Sequence, residues 1–435
     1  MTTHRKTVQS SEGETTTRAP EESQIGRQRR TALSALFGVA ALAGIVTVSA
    51  SCAEAATESD ADPDAETDSG APSTIDSGEA IDAGPGDAGC EADSDTCTTE
   101  MLPCDDVDWC PSETNLDGRL ALASVWGSGP KDVWAVGTAG TVIHWNGSEW
   151  SSTPASTTQS LYAVWGSGPN DVWIVSSPHV IFRGGGFVNG TASWSPVTPV
   201  ADYATVSGSR GKLIQTIWGT SASDVWIGGM SFVNKSGQPQ ESRWRSVTVD
   251  GGAGWTPVSN CPKTGTCPSV TAMWGSGPED IWAVGPAGVT LHTHGIDAGD
   301  GGVPDWTAFD SQSTAALQAV WGSGPGDVWT VGTKGAIRHW AAGAARWSIV
   351  ESPTTEDLNS LWGSGPEDIW AVGDHGTLLH YDGTSWEKAT AAFPLGEKPH
   401  LRGVWGSGPN DVWAVGDGIV LHFSGFKTSA RGAGK

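Results

Sequence analysis

The stretch Trp126-Gly-Ser-Gly-Pro-Lys-Asp-Val-Trp-Ala-Val-Gly137 decides the fold, because close copies of it recur nearly to the C-terminus. The leading tryptophans are Trp126, Trp165, Trp218, Trp274, Trp321, Trp362 and Trp405. In every copy a second tryptophan follows eight residues later, as Trp134, Trp173, Trp226, Trp282, Trp329, Trp370 and Trp413. Spacing between copies ranges from 39 to 56 residues. A fixed motif with free connections, at a period of about 40 to 50 residues, marks a propeller or solenoid whose repeats bury their apolar faces only against neighbours.

Within a copy, apolar and β-branched residues flank Gly-Ser-Gly-Pro-x-Asp, which reads as two strands joined by a tight turn. The proline presets φ, and the glycines are expected to supply positive φ. The recurrent aspartate (Asp132, Asp171, Asp224, Asp280, Asp327, Asp368, Asp411) is expected to bond the turn's own amides, a structural role rather than a catalytic or metal-binding one.

Working outward, a full repeat reads as four strands: Leu120 to Trp126, Val133 to Val136, Thr141 to Trp145 and a short one around Trp150. Asn146-Gly147, echoed by Asp382-Gly383, is a hairpin signal between the third and fourth. Four strands per unit make one propeller blade. The fourth-strand tryptophans are Trp150, Trp194, Trp255, Trp306, Trp347 and Trp386, which leaves the last repeat without one. Trp109, 17 residues ahead of Trp126, stands where the missing one would come from. The expected fold is therefore an all-β, seven-bladed β-propeller over 105–426, closed by its N-terminal strand so that no sheet edge stays open, with a tail at 427–435.

A histidine recurs on the third strand as His144, His292, His339, His380 and His422, with Arg183 in the matching place of the second repeat. Equivalent positions on different blades lie a blade's width apart, far beyond the roughly 2 Å bonds of a shared metal site, so hydrogen bonding is the expected role. His292 and His294 with Asp297, Asp300 and Asp305 lack calcium-loop spacing. No metal and no cofactor is expected.

Upstream of the repeats the composition changes. Arg27, Arg29 and Arg30 precede a nearly uncharged run from Thr31 to Ala50 and then Ser51-Cys52, which resembles a bacterial lipoprotein signal peptide over 1–51 with Cys52 as the lipidated residue. Ordinary cleavage after Val48-Ser49-Ala50 and an uncleaved span are the competing readings. From Ala53 to Glu100 the chain carries 15 Asp or Glu and no Lys or Arg, a large share of the formal net charge of −25. Residues 52–104 thus read as a disordered acidic tether. Acidity argues against nucleic acid, which needs a basic patch.

Removing Cys52 leaves six of the seven cysteines in three close pairs: Cys90 and Cys97, Cys104 and Cys110, Cys261 and Cys267. That arithmetic fits an exported, disulfide-forming chain, with local pairing the simplest of 15 connectivities. No Cys-x-x-Cys pair supports zinc.

The span Asp132-Val-Trp-Ala-Val-Gly-Thr-Ala-Gly-Thr-Val-Ile-His-Trp-Asn-Gly-Ser-Glu-Trp150 resembles the repeats of tectonin-type propeller lectins, which pair a Val-Trp strand with a later strand, an Asn/Asp-Gly turn and a tryptophan. The Trp-Gly-Ser-Gly-Pro-x-Asp-Val-Trp-Ala-Val-Gly form is similar to exported bacterial β-propeller lipoproteins. The resemblance covers about three quarters of the chain. It implies the propeller and, from the lectins, carbohydrate binding.

Three functions follow. The first is a non-catalytic, lipid-tethered monomer at the bacterial outer membrane or cell surface (or secreted or periplasmic), recognising glycan or protein. With the Trp-Gly-Ser strand innermost, variable loops gather on one face: Pro199 to Lys212, Met230 to Gln240, the Cys261 to Cys267 loop with Lys263, and Asp374-His375-Gly376. The ligand-binding residues expected there are Met230, Lys263 and His375. The second is a propeller-type glycoside hydrolase or lyase, disfavoured because only Tyr162, Tyr203 and Tyr381 exist and no nucleophile elbow or phosphate loop appears. The third is a structural part of envelope or appendage assembly.

Overall fold

A computed structural model describes residues 95–176, 180–197, 214–231, 242–249, 252–258, 267–295 and 305–427. The expected signal peptide, Cys52, Cys90, Cys261, Lys263, the loop of residues 199–212 and nearly all of the acidic tether and tail lie outside these residues.

Seven four-stranded antiparallel sheets form a seven-bladed β-propeller. The first blade runs Leu122–Gly129, Asp132–Gly137, Val142–Trp145 and Trp150–Ser152 in consecutive order. The Trp-Gly-Ser strands are innermost: each packs against those of the two flanking blades, and Leu401–Gly408 of the last packs against Leu122–Gly129 of the first. The last blade takes its outer strand from the other end of the chain. Trp109–Pro111 pairs antiparallel with Ile419–Phe423 in the register Trp109↔Phe423, Cys110↔His422, Pro111↔Leu421. The closure expected from the missing fourth-strand tryptophan is what is found.

The core lies between blades. Among the described residues it divides into seven apolar clusters, and each draws on two adjacent blades: Trp134, Val136 and Val142 of the first meet Leu161, Val164 and Val172 of the second. Two contacts repeat at all seven interfaces. Near the axis, the indole of each leading tryptophan covers the glycine after the leading tryptophan of the next blade: Trp126 on Gly166, Trp165 on Gly219, Trp218 on Gly275, Trp274 on Gly322, Trp321 on Gly363, Trp362 on Gly406 and Trp405 on Gly127. A Cβ on Gly363 would stand 2.6 Å from the Trp321 ring and 2.8 Å from the Asp368 carbonyl. Further out, each fourth-strand tryptophan meets the second tryptophan of the preceding blade edge-on, as Trp347 does Trp282 at 5.2 Å and 82° and Trp386 does Trp329 at 5.9 Å and 70°. Such pairs add about 0.5 to 1.5 kcal/mol to the burial of the rings themselves.

These contacts correct one expectation. No glycine of the Gly-Ser-Gly-Pro turn is among those with positive φ. The first glycine of each turn is there because only a hydrogen fits under the neighbour's indole. Positive φ is used instead in the outer hairpin, where Gly147 has φ +96° and Asn146 Oδ1 accepts from the amides of Ser148 and Glu149 at 2.9 and 3.0 Å.

The structured chain takes up ten residues before the expected boundary at Asp105. Cys97–Thr98 pairs with Gly396–Glu397, and Lys398 donates from Nζ to the Asp95 carbonyl and from its amide to the Thr96 carbonyl. The sequence reading missed this because acidity alone marks a segment as solvated, whereas Lys388 and Lys398 lie almost 300 residues downstream.

Candidate functional site

The recurrent polar residues converge inside each blade. In the first, Ser128 Oγ donates to Asp132 Oδ2 at 2.5 Å, His144 Nε2 to Oδ1 at 2.7 Å and Trp134 Nε1 to the same oxygen at 3.0 Å. The corresponding serine or threonine reaches the aspartate at 2.5 to 2.7 Å in every other blade. His292, His339, His380 and His422 reach it at 2.6 to 2.7 Å, and Arg183 does so in the second blade. The third blade uses Arg245, 2.6 Å from Asp224, a match the sequence reading missed because a longer connection displaces it from the usual spacing. Each of these groups also covers the second tryptophan: His422 stacks on Trp413 at 4.0 Å and 16°, and the Arg183 guanidinium lies 4.7 Å from the Trp173 centroid.

The aspartate therefore binds side chains of three strands rather than chiefly its own turn's amides. Burial works against its charge, but donors from histidine and serine outweigh that effect, and the carboxyls of Asp132, Asp280 and Asp411 lie below the ordinary carboxylate range. Ser, Asp and His invite comparison with a hydrolytic triad, yet the wiring differs. In a nucleophilic triad the histidine bonds the serine and the aspartate bonds the far side of the histidine. Here serine and histidine both bond the aspartate, so no base faces the serine. The constellation is a blade fastener.

What distinguishes the blades from one another lies at the mouth of the central channel. The position three residues before each leading tryptophan holds Ala123, Tyr162, Gln215, Thr271, Gln318, Asn359 and Arg402 in turn. All seven line one cavity of about 620 Å³ on the axis. The residue just before this position is Leu, Ile or Val in every blade and at most 1% exposed. In six blades the variable residue is the extra one of a β-bulge, as between Leu122 and Ser124 or Leu401 and Gly403. A bulge leaves one residue out of the ladder, bends the strand locally and re-aims that side chain. Thus the variable residue is aimed into the channel while the apolar residue before it stays between blades.

Arg402 is the cationic side chain of this lining, tied to Asp417 at 2.7 and 2.8 Å, which pushes its guanidinium further toward the charged form. Asn359 donates to Asp374 Oδ1 at 2.8 Å and to the Leu401 carbonyl at 2.9 Å. Tyr162 is the single aromatic among the lining residues. The loops between blades and those between second and third strands share this rim, as expected from an innermost Trp-Gly-Ser strand.

Of the three expected ligand-binding residues, Met230 is exposed and lines the channel mouth, Lys263 lies outside the described residues, and His375 stands on the rim of the sixth blade, away from the lining of the channel. The channel position itself escaped the sequence reading. Aligning the seven copies on their leading tryptophans would have exposed it as a varied, mostly polar column between an invariably apolar one and one of small residues. Of the expected disulfides, Cys104–Cys110 is present with Cα atoms 5.5 Å apart. Cys97 and Cys267 are also disulfide-bonded, and the partners expected for them, Cys90 and Cys261, lie outside the described residues.

No family model matches the sequence, and no curated protein does. Solved structures similar to the chain include propellers. YCF48 bound to D1 peptide superposes with a TM-score of 0.54 at 16% identity, covering 76% of this chain and 99% of that one. YCF48 from Cyanidioschyzon merolae gives 0.52 at 16% identity, covering 73% and 98%. The WD40 β-propeller domain of Doa1 gives 0.50 at 14% identity, covering 74% and 99%. At these identities the likeness extends to the fold.

Proposed function

We propose that the protein is a non-catalytic binding module that takes a polypeptide segment at the mouth of its central channel. The observation that carries this reading is the varied column, Ala, Tyr, Gln, Thr, Gln, Asn and Arg, which lines one cavity on the axis of a ring built from repeated parts and is aimed there by a bulge in six of the blades. Amide side chains, two hydroxyls and one guanidinium match the donors and acceptors of a peptide backbone and an acidic side chain. A sugar would ask for aromatic faces to stack on, and among the described residues the mouth supplies Tyr162 alone. That a similar propeller was solved with the D1 peptide is in keeping with this reading. The Ser-Asp-His wiring of the blades supports the absence of chemistry.

In this reading the acidic segment is a leash, and Cys52, acylated after export, holds the ring at the bacterial envelope. Exposing the labelled full chain to a peptide array and a glycan array tests the recognition. Peptide hits that fall at least tenfold for Arg402→Ala and Gln318→Ala are expected. Glycan hits, or peptide hits indifferent to both substitutions, would overturn it. For the anchor, Cys52→Ala is expected to move the chain from the membrane fraction to the soluble one; unchanged partitioning would contradict acylation at that residue.

A further inference from the structure

We propose a divalent metal site of the zinc class on the rim between the sixth and seventh blades, formed by His375, Glu397 and His400. One ligand atom from each converges with the others to within 4.8 Å. The outer shell is already in place. His375 Nδ1 bonds Glu356 Oε2 at 2.8 Å, and the His375 amide donates to His400 Nδ1 at 3.4 Å, orienting that ring, with Asp374 Oδ1 3.2 Å away. With its Nδ1 edge held by a carboxylate, the His375 imidazole has Nε2 left for a metal, the carboxylate–histidine–metal arrangement that fixes ring orientation and raises ligand basicity. His375 Nε2 stands 3.8 Å from Glu397 Oε1. The Glu397 side chain is 73% exposed and free to swing the remaining distance. Two imidazoles and one carboxylate, with room for water, suit zinc or a similar borderline ion.

Comparison within the chain separates these residues from what the blade requires. His375 sits at φ +50° in the turn between second and third strands, where the first, fourth and fifth blades carry Ala139, Ala287 and Lys334 in the same conformation. His400 immediately precedes an innermost strand, where other blades have Ala121, Ser160, Ser269, Ala316 and Asp357. Neither histidine belongs to the blade fasteners, and neither is needed for the turn it occupies. The site also has a place in the architecture, because Glu397 belongs to the two-residue strand that pairs with Cys97–Thr98. A metal held there would pin the entry of the N-terminal leash to the ring.

The alternative is a pair of histidines bonded to carboxylates with no ion. Calorimetric titration of the full chain, its cysteines oxidised, with Zn2+ at neutral pH distinguishes the two, with Co2+ as a visible-absorption probe. One equivalent of Zn2+ and a ligand-field band from Co2+ are expected. His375→Ala installs the residue that two other blades already tolerate, and Glu397→Gln alters an exposed side chain, so both keep the fold; each is expected to weaken Zn2+ at least tenfold. Glu356→Gln, which touches no metal, is expected to weaken it about 10- to 100-fold. A wild-type chain without a stoichiometric Zn2+ equivalent, or His375→Ala and Glu397→Gln variants that bind as the wild type does, would overturn the assignment.

Discussion

The last blade and the six before it are built from different connectivity and arrive at the same interface. In the fifth blade Trp347 follows its own third strand and meets Trp282 of the preceding blade edge-on at 5.2 Å and 82°. In the last blade Trp109 comes from over 300 residues away, and meets Trp370 at 5.0 Å and 83°. Both indoles are fully buried. The closing strand also reproduces the main-chain contact of a contiguous one, in which the Trp347 amide donates to the Asp310 carbonyl at 3.0 Å. The Trp109 amide donates to the Thr390 carbonyl, and the Ala392 amide donates to the Trp109 carbonyl, both at 3.0 Å, so it also grips the connection leaving the sixth blade. The interface is thus set by which side chains are presented and not by how the chain reaches them, as expected where each repeat is stable only through its neighbours.

The difference can be broken at its weak point. A chain that begins at Glu113 loses Trp109, its ladder and the Cys104–Cys110 disulfide, and opens a ring that has no spare edge protection. Its stability to urea is expected to fall by more than about 5 kcal/mol, with aggregation, when followed by tryptophan fluorescence. Gly363→Val attacks a contiguous interface instead, by forcing side-chain atoms into the Trp321 indole and the Asp368 carbonyl. A loss of about 3 kcal/mol is expected from such overpacking, with no change in a strand content that circular dichroism would register.

Acid probes all blades together. The carboxyls of Asp132, Asp280 and Asp411 lie below their ordinary value when folded, so they contribute stability above the unfolded-state value of about 3.9 and lose it as the pH falls through the folded-state values. Melting temperature is therefore expected to decline steeply below about pH 4, and the decline should be shallower in Asp132→Asn, which has one fewer such group. The smallest effect belongs to the channel mouth. Gln318→Ala and Arg402→Ala are expected to change stability by no more than about 0.5 to 1 kcal/mol, since the one touches the cavity and the other an exposed ion pair. Their consequence should appear in peptide binding alone.

Most of the ring was legible because each part of it is a spacing. Two tryptophans eight apart, a third on the outer strand and one displaced Trp109 suffice for seven blades and their closure. The glycine in Trp-Gly was visible but misread as turn chemistry, since its reason is an indole on the neighbouring blade, far away in the chain. The aspartate's partners were misassigned on the same ground: they stand on three strands, and Arg245 arrives after a connection of unusual length. The channel column and the His375, Glu397 and His400 cluster depend on curvature and on a bulge, which no periodicity within one repeat reveals.

Replacing Trp109 and Trp347 by alanine, singly and in the otherwise intact chain, asks whether a strand from the far end of the polypeptide supplies an interface equal to the built-in ones. Losses of about 3 to 5 kcal/mol for both, within about 1 kcal/mol of each other in urea denaturation, are predicted. A chain that tolerates Trp109→Ala while Trp347→Ala unfolds it would contradict closure by the N-terminal strand.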